Sequence, residues 1–391
     1  MRKFFLTIAF LSTISLLMYT EKVHSIESAS KILQNELNKC FGMNETEPIY
    51  LITVTRSIDA TGVGTGMLHH NDWAYIRNAL LDICSDNGTI THLQSRNHNE
   101  RNVCTYLHTD PLKNRCKIVT FNESFFQKKP LANTDYANFL NGGGAITSGI
   151  LALSQQCHNT IFYPNLPHLS PYAAPADVNI LAKYDDERVN RQGFINYSMG
   201  VLPDQKPTPG GIVRNITYGI NKGQILTEYK KRSYFREDDH EVNHNKFIYD
   251  FGDGRDKSVY KHNDKDLKNL RDVLLKHVKT EICLDLVTGV RRSNGWKNFY
   301  NDKTTGLLIL QSHWIDPMGI IAPTQSINNL PRSSKDDTIK ILHADPKSHE
   351  LGTNLFNIDE RGGMITFQKE VELLHTGQDG ARMTISIYKL N

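Results

Sequence analysis

The sequence predicts an α+β fold, an N-terminal α/β region followed by a β-rich C-terminal half. Two observations predict it. From residue 28 to residue 163, segments with helical spacing alternate with short β-branched apolar runs, the pattern of helices layered on a partly parallel sheet. From Val178 onward strand-like segments dominate, with one strongly periodic helix among them.

In chain order, Ser28 to Leu37 has the spacing of a short amphipathic helix leading to Cys40. Ile49 to Thr55 (IYLITVT) is apolar and β-branched, as a buried strand requires. A glycine-bearing loop, Asp59 to Gly66, precedes a helix over Asp72 to Ile83, where Trp73, Ile76, Leu80 and Leu81 share a face. Lys117 to Phe121 reads as strand, Ala145 to Gln156 as helix and Thr160 to Tyr163 as strand. Four prolines between Pro164 and Pro175 mark a boundary between region 26–170 and region 171–391, as two domains or as one continuous domain.

Beyond it, strands are expected at Val178–Tyr184, Gly193–Val201, Ile212–Ile220, Ile225–Tyr234, Lys246–Phe251, Ile282–Val290, Leu307–Ile315 and Thr338–His343. The helix is Lys265 to Lys279, with Leu267, Leu270, Leu274 and Leu275 on one face. Residues 364–374 and 381–389 are placed to form a hairpin across residues 377–380.

Arg2 and Lys3 precede an apolar run from Phe4 to Met18, and Val23-His24-Ser25 supplies a small residue at a cleavage point. Residues 1–25 therefore read as a secretory signal peptide, and the protein as secreted or periplasmic. The apolar run is shorter than the roughly 20 residues that span a bilayer, so no membrane span is expected after cleavage. In an exported chain, the six cysteines (Cys40, Cys84, Cys104, Cys116, Cys157 and Cys283) read as disulfide partners; no CxxC pair suggests a zinc ribbon or a redox site. Sequons at Asn44, Asn87, Asn122, Asn196 and Asn215 make it a candidate glycoprotein. Lys and Arg total 45 against 42 acidic residues, a net charge of +3, which gives no specific nucleic-acid signal. Lys230-Lys231-Arg232, followed by Glu237-Asp238-Asp239, reads as a solvated surface of alternating charge.

The sharpest local motif is His240-Glu241-Val242-Asn243-His244. On a helix, histidines at i and i+4 share a face and can hold zinc, while the glutamate between them activates a metal-bound water. The motif resembles the HExxH of zinc peptidases, which implies His240 and His244 as zinc ligands, Asp250 as a third and Glu241 as general base. Phe247 stands where the extended forms of that motif turn on a glycine.

The expected function is thus an exported metal-dependent hydrolase, its substrate unspecified. A second reading is a non-enzymatic secreted recognition factor or toxin subunit that binds a surface ligand. A third rests on Arg56 after the first strand and His343-Ala344-Asp345 at the end of a late one, a layout similar to that of secreted histidine phosphatases. It implies a phosphomonoesterase-like protein, with Ser57 where the nucleophilic histidine would stand.

Overall fold

A computed structural model of the chain describes residues 28–56, 68, 70–85, 112–123, 125–126, 149–171, 211–232, 247–249, 252–259, 263–283, 285–286, 288, 304–312, 339–346, 354–358, 364–378 and 380–390. The expected leader, the HEVNH motif and the strands expected at 178–184 and 193–201 lie outside these residues. Among the described residues no helix is long and apolar enough to cross a membrane.

The first strand, β1 (Ile49–Arg56), is buried along its whole length. It pairs in parallel with β2 (Lys117–Phe121), and β2 in parallel with β3 (Thr160–Tyr163). Strands covered on both faces read as continuous β-branched runs, which is why all three are visible in the sequence. Pro164 carries no N–H and interrupts the strand, which resumes as β4 (Asn165–Pro171), antiparallel to β5 (Gly211–Asn221). The proline-rich stretch expected as a boundary thus contains a paired strand.

Strand β5 turns through Lys222 and Gly223, both at positive φ, into β6 (Gln224–Lys230), and also pairs with β7 (Phe247–Tyr249). The edge strand β8 (Lys257–Ser258) pairs with β6. A second sheet begins with β9 (Val278–Ile282), β10 (Leu307–Gln311) and β11 (Lys340–Ala344), all parallel. It continues antiparallel through β12 (Asn354–Ile358) and β13 (Met364–Thr366). The chain then returns to the first sheet as the hairpin β14 (Val371–Thr376) and β15 (Arg382–Leu390), with β15 antiparallel to β1. Among the described residues, ten strands make the first sheet and five the second.

Alternation along the strands sorts the core into two layers. Tyr50, Ile52, Val54, Val119, Phe121 and Phe162 face α2 (His70–Cys84) and the helical segment α3 (149–156), meeting Ile76, Leu80, Ile83 and Leu153. Ile49, Leu51, Ile118 and Ile161 point the other way, onto Leu307, Ile309, Leu342 and Leu355 of the second sheet. Leu33 and Leu37 of α1 (Ala29–Cys40) join that core, as do Leu267, Leu270 and Leu274 of α4 (Lys265–His277). Ser28 caps α1 by accepting from Lys31 N–H, and Asp264 caps α4 by accepting from Asp266 and Leu267 N–H. The mixed α and β composition expected from the sequence is observed.

Three expectations are corrected. The strand expected at Ile282–Val290 is displaced: it runs Val278–Ile282, and Asp285, Leu286 and Thr288 are helical. Five of the six cysteines are described, and none is in a disulfide; Cys84, Cys116, Cys157 and Cys283 are buried and Cys40 partly so, while Cys104 lies outside the described residues. Of the sequon asparagines, Asn122 is buried, its amide donating to Glu123 O, and Asn215 is half-buried, its amide donating to Glu123 Oε1.

Candidate active site

In open sheets of parallel strands, side chains that do chemistry collect beyond the carboxyl ends, where the chain leaves the ladder. Here both sheets present such ends. Strand β2 leads to Asn122 and Glu123, β9 to Cys283, β10 to Ser312 and β11 to Asp345.

Glu123 sits on a turn anchored by aromatic packing. Phe121, Phe125 and Phe126 have ring centroids 4.9–5.2 Å apart, and Phe126 lies edge-on to Trp73 at 5.4 Å. Asn122 ties this turn to β1, donating its backbone N–H to Val54 O and accepting Arg56 N–H at its side-chain oxygen. The Glu123 carboxylate then receives two donors on one oxygen, Lys231 Nζ at 2.6 Å and Asn215 Nδ2 at 2.9 Å. Lys231 and Glu123 side chains are only 4% and 8% exposed, so this is a buried ion pair. Removing one member of such a pair costs about 3–5 kcal/mol, because the other charge is left in low dielectric.

Lys231 is held from behind. Its N–H donates to Asn215 O and its carbonyl accepts Gly252 N–H. A Cβ on Gly252 would lie 2.0 Å from Lys230 O, so only glycine permits this approach. The sequence reading of Lys230-Lys231-Arg232 as a solvated surface is corrected: Lys231 is 3% exposed.

Cys283 lies at the end of β9 with φ +49°, a left-handed conformation rare for a residue with a Cβ. Its N–H donates to Gln311 O at 2.7 Å and its carbonyl accepts Leu286 N–H, which makes a strand-to-helix elbow. It packs with Ile282 and with Tyr229 of β6, two residues before Lys231. Asp285, on the same elbow, accepts Arg232 N–H, so the cysteine's turn and the lysine's strand are joined directly. Burial pushes the Asp285 carboxyl up to about 7, the Glu281 charge adding to it. Burial raises Glu281 and Tyr229 as well.

Gln311 bridges the two sheets. Its amide donates to Tyr163 O at 2.7 Å and to Thr120 Oγ1 at 3.0 Å, and its oxygen accepts the Thr217 hydroxyl. Next in the chain, at the end of β10, Ser312 Oγ reaches across to β11 and lies 2.5 Å from His343 Nε2 and 2.6 Å from Asp345 Oδ2, all three side chains being buried. The histidine and aspartate that suggested a phosphomonoesterase are therefore joined to each other through a serine inside the protein, and that reading is corrected.

His240, Glu241, His244 and Asp250 lie outside the described residues. Strand β7 begins at Phe247, three residues past His244, and pairs with β5. Among the described residues no cluster of three or more His, Cys, Asp or Glu is placed to hold a metal ion. Glu123, Lys231 and Cys283 were missed by sequence reasoning.

No protein-family model matches the chain, and no curated protein matches its sequence. Solved structures do. A cysteine-to-alanine mutant of an amidase of the nitrilase superfamily from Nesterenkonia AN1 superposes with a TM-score of 0.40 at 9% identity, over 88% of this chain and 90% of its own. Another mutant of that amidase, showing covalent addition of the acetamide moiety of fluoroacetamide at its active-site cysteine, gives 0.38 at 9% over 87% and 90%. The C. elegans NitFhit protein gives 0.39 at 10% over 88% and 61%. A TM-score near 0.4 fixes neither activity nor substrate for this chain. The expectation of a metal-dependent hydrolase on the HEVNH motif is not carried further, and the zinc expected on His240, His244 and Asp250 falls on positions outside the described residues.

Proposed function

We propose that this chain is a thiol-dependent acyl hydrolase acting on amides, with Cys283 as nucleophile and Glu123 and Lys231 as its acid–base and electrostatic partners. One observation carries the reading: a buried Glu123–Lys231 ion pair is tied, through Arg232 and Asp285, to a cysteine held at positive φ on a strand-to-helix elbow. Strained backbone and buried charge both cost stability, and their coincidence at strand ends is characteristic of catalytic sites.

The chemistry follows from the groups. Glu123 takes the thiol proton as Cys283 Sγ attacks the carbonyl carbon, and the carbonyl π pair moves onto oxygen. The Lys231 ammonium, a fixed cation in a dry site, stabilises that oxyanion. Collapse breaks the C–N bond, the leaving amine takes the proton from Glu123, and a thioester remains. Water then gives a proton to Glu123 and attacks the thioester; C–S cleavage releases the acid, and the thiolate recovers the proton. The leader-like segment at residues 1–25 supports an exported location for this activity.

The test is formation of an acyl-enzyme. Incubation with p-nitrophenyl acetate should add one acetyl group to the intact protein, mapped to Cys283 by peptide mass spectrometry, and Cys283→Ala should abolish it. An adduct that persists in the alanine variant would refute the assignment.

A further inference from the structure

The phenol oxygen of Tyr229 lies 3.0 Å from Glu281 Oε2 and 2.8 Å from Asp285 Oδ2. Both are hydrogen-bond distances, yet a phenol carries one hydrogen. Two ionised carboxylates would leave one of these contacts with no proton, oxygen against oxygen in a buried site. A second hydrogen must therefore come from one of the carboxyls. Glu281 carries the guanidinium of Arg232, whose Nη2 lies 3.2 Å from Oε2, and this favours its charged form. Among the described residues, the Asp285 carboxyl meets within hydrogen-bonding distance the phenol and the neutral Arg232 N–H, the latter at 3.0 Å and 3.2 Å from its two oxygens.

We infer that Asp285 is a positioning residue for Cys283 that works in its neutral form, its carboxyl O–H donating to Tyr229 while its other oxygen accepts Arg232 N–H. This rests on the catalytic reading of Cys283. Asp285 is two residues beyond the cysteine, and Arg232 is one beyond Lys231. A third bond, from Arg232 Nη2 to Asp285 O at 2.8 Å, closes the clamp. The groups that face it are Tyr229, Lys231 and Arg232 from the end of β6 and Glu281 from β9, with Lys279 and Asp256 acting on Glu281. Burial raises Asp285 in the direction the proton count requires. Ionisation of Asp285 would break its bond to Tyr229, which packs against Cys283, and would add a negative charge to the turn that carries the thiol, which disfavours the thiolate.

Asparagine reproduces the neutral acid: its oxygen can accept Arg232 N–H and its amide can donate to Tyr229. The experiment measures the rate at which iodoacetamide alkylates Cys283 in the full chain, followed by peptide mass spectrometry across pH. Wild type should fall below a single-thiol titration curve above about pH 7, where Asp285 loses its proton. Asp285→Asn should stay within about threefold of wild type at lower pH and follow the single-thiol curve throughout, whereas Asp285→Ala should lose about tenfold through misplacement of the turn. If the asparagine variant falls as far as the alanine variant, or keeps the wild-type pH profile, the inference is overturned. Should the alanine variant not fold, the profiles of wild type and Asp285→Asn decide by themselves. The acetyl-adduct assay reports separately: its failure with the asparagine profile as expected overturns the catalytic reading alone, and the reverse pattern overturns this inference alone.

Discussion

Replacing Gln311 with methionine isolates the hydrogen bonds that join the two sheets, because the side-chain volume is nearly conserved and little cavity is created. Three buried groups lose a partner: Tyr163 O, Thr120 Oγ1 and the Thr217 hydroxyl. A buried polar group left without its bond costs about 1–3 kcal/mol. The hydroxyls can rotate and recover part of this, so the net loss should be about 3–5 kcal/mol, a large share of the 5–15 kcal/mol that holds a typical domain. Equilibrium urea unfolding gives the value directly. Thr217→Val should cost at least about 1 kcal/mol less in the methionine background than in wild type, since its hydroxyl has by then already lost its acceptor. A loss under about 1 kcal/mol for Gln311→Met, or strict additivity of the two changes, would show that the network is not what couples the sheets.

Asp264→Ala removes the cap of α4, which accepts two N–H groups, and should lower stability by about 1 kcal/mol, read as a drop in thermal midpoint. Gly252→Ala must push the end of β6 away from its neighbour, so Cys283 alkylation should slow while far-ultraviolet circular dichroism is retained; an unchanged rate would argue that the position of Lys231 does not matter to the thiol. The raised Asp285 carboxyl makes the folded state bind more protons than the unfolded chain between the ordinary 3.8 and about 7. Its contribution to stability is complete below that window and is lost as pH rises through it. Urea midpoints at about pH 5 and about pH 8 should therefore show wild type losing ground to Asp285→Asn at the higher pH, and a constant difference would rule this out.

The parallel strands were legible because burial on both faces leaves continuous β-branched runs, as in Ile49–Arg56. The helix at Lys265–His277 was legible through its leucine spacing and its aspartate cap. The site was not. Lys231 sits between two cations and ahead of an acidic run, so its local composition resembles surface; its burial comes from Glu123, 108 residues earlier in the chain. Cys283 falls within the segment Ile282–Val290 that reads as strand, and periodicity does not reveal that the backbone turns left-handed there. A better signal was available in the order of residues, a β-branched strand ending in cysteine with an acid two positions on.

Strand β15 lies between β1 and β14, so Ile49 pairs with Leu390. During vectorial synthesis the partner of β1 on that side does not exist until the ribosome has passed residue 390. Until then β1 presents an open row of amides and carbonyls, a template for any extended peptide nearby. Pairings this distant in sequence slow folding and lengthen the time the nascent sheet spends unsealed. The protein's demand for a chaperone should therefore be set less by its stability than by the wait for its β15 segment.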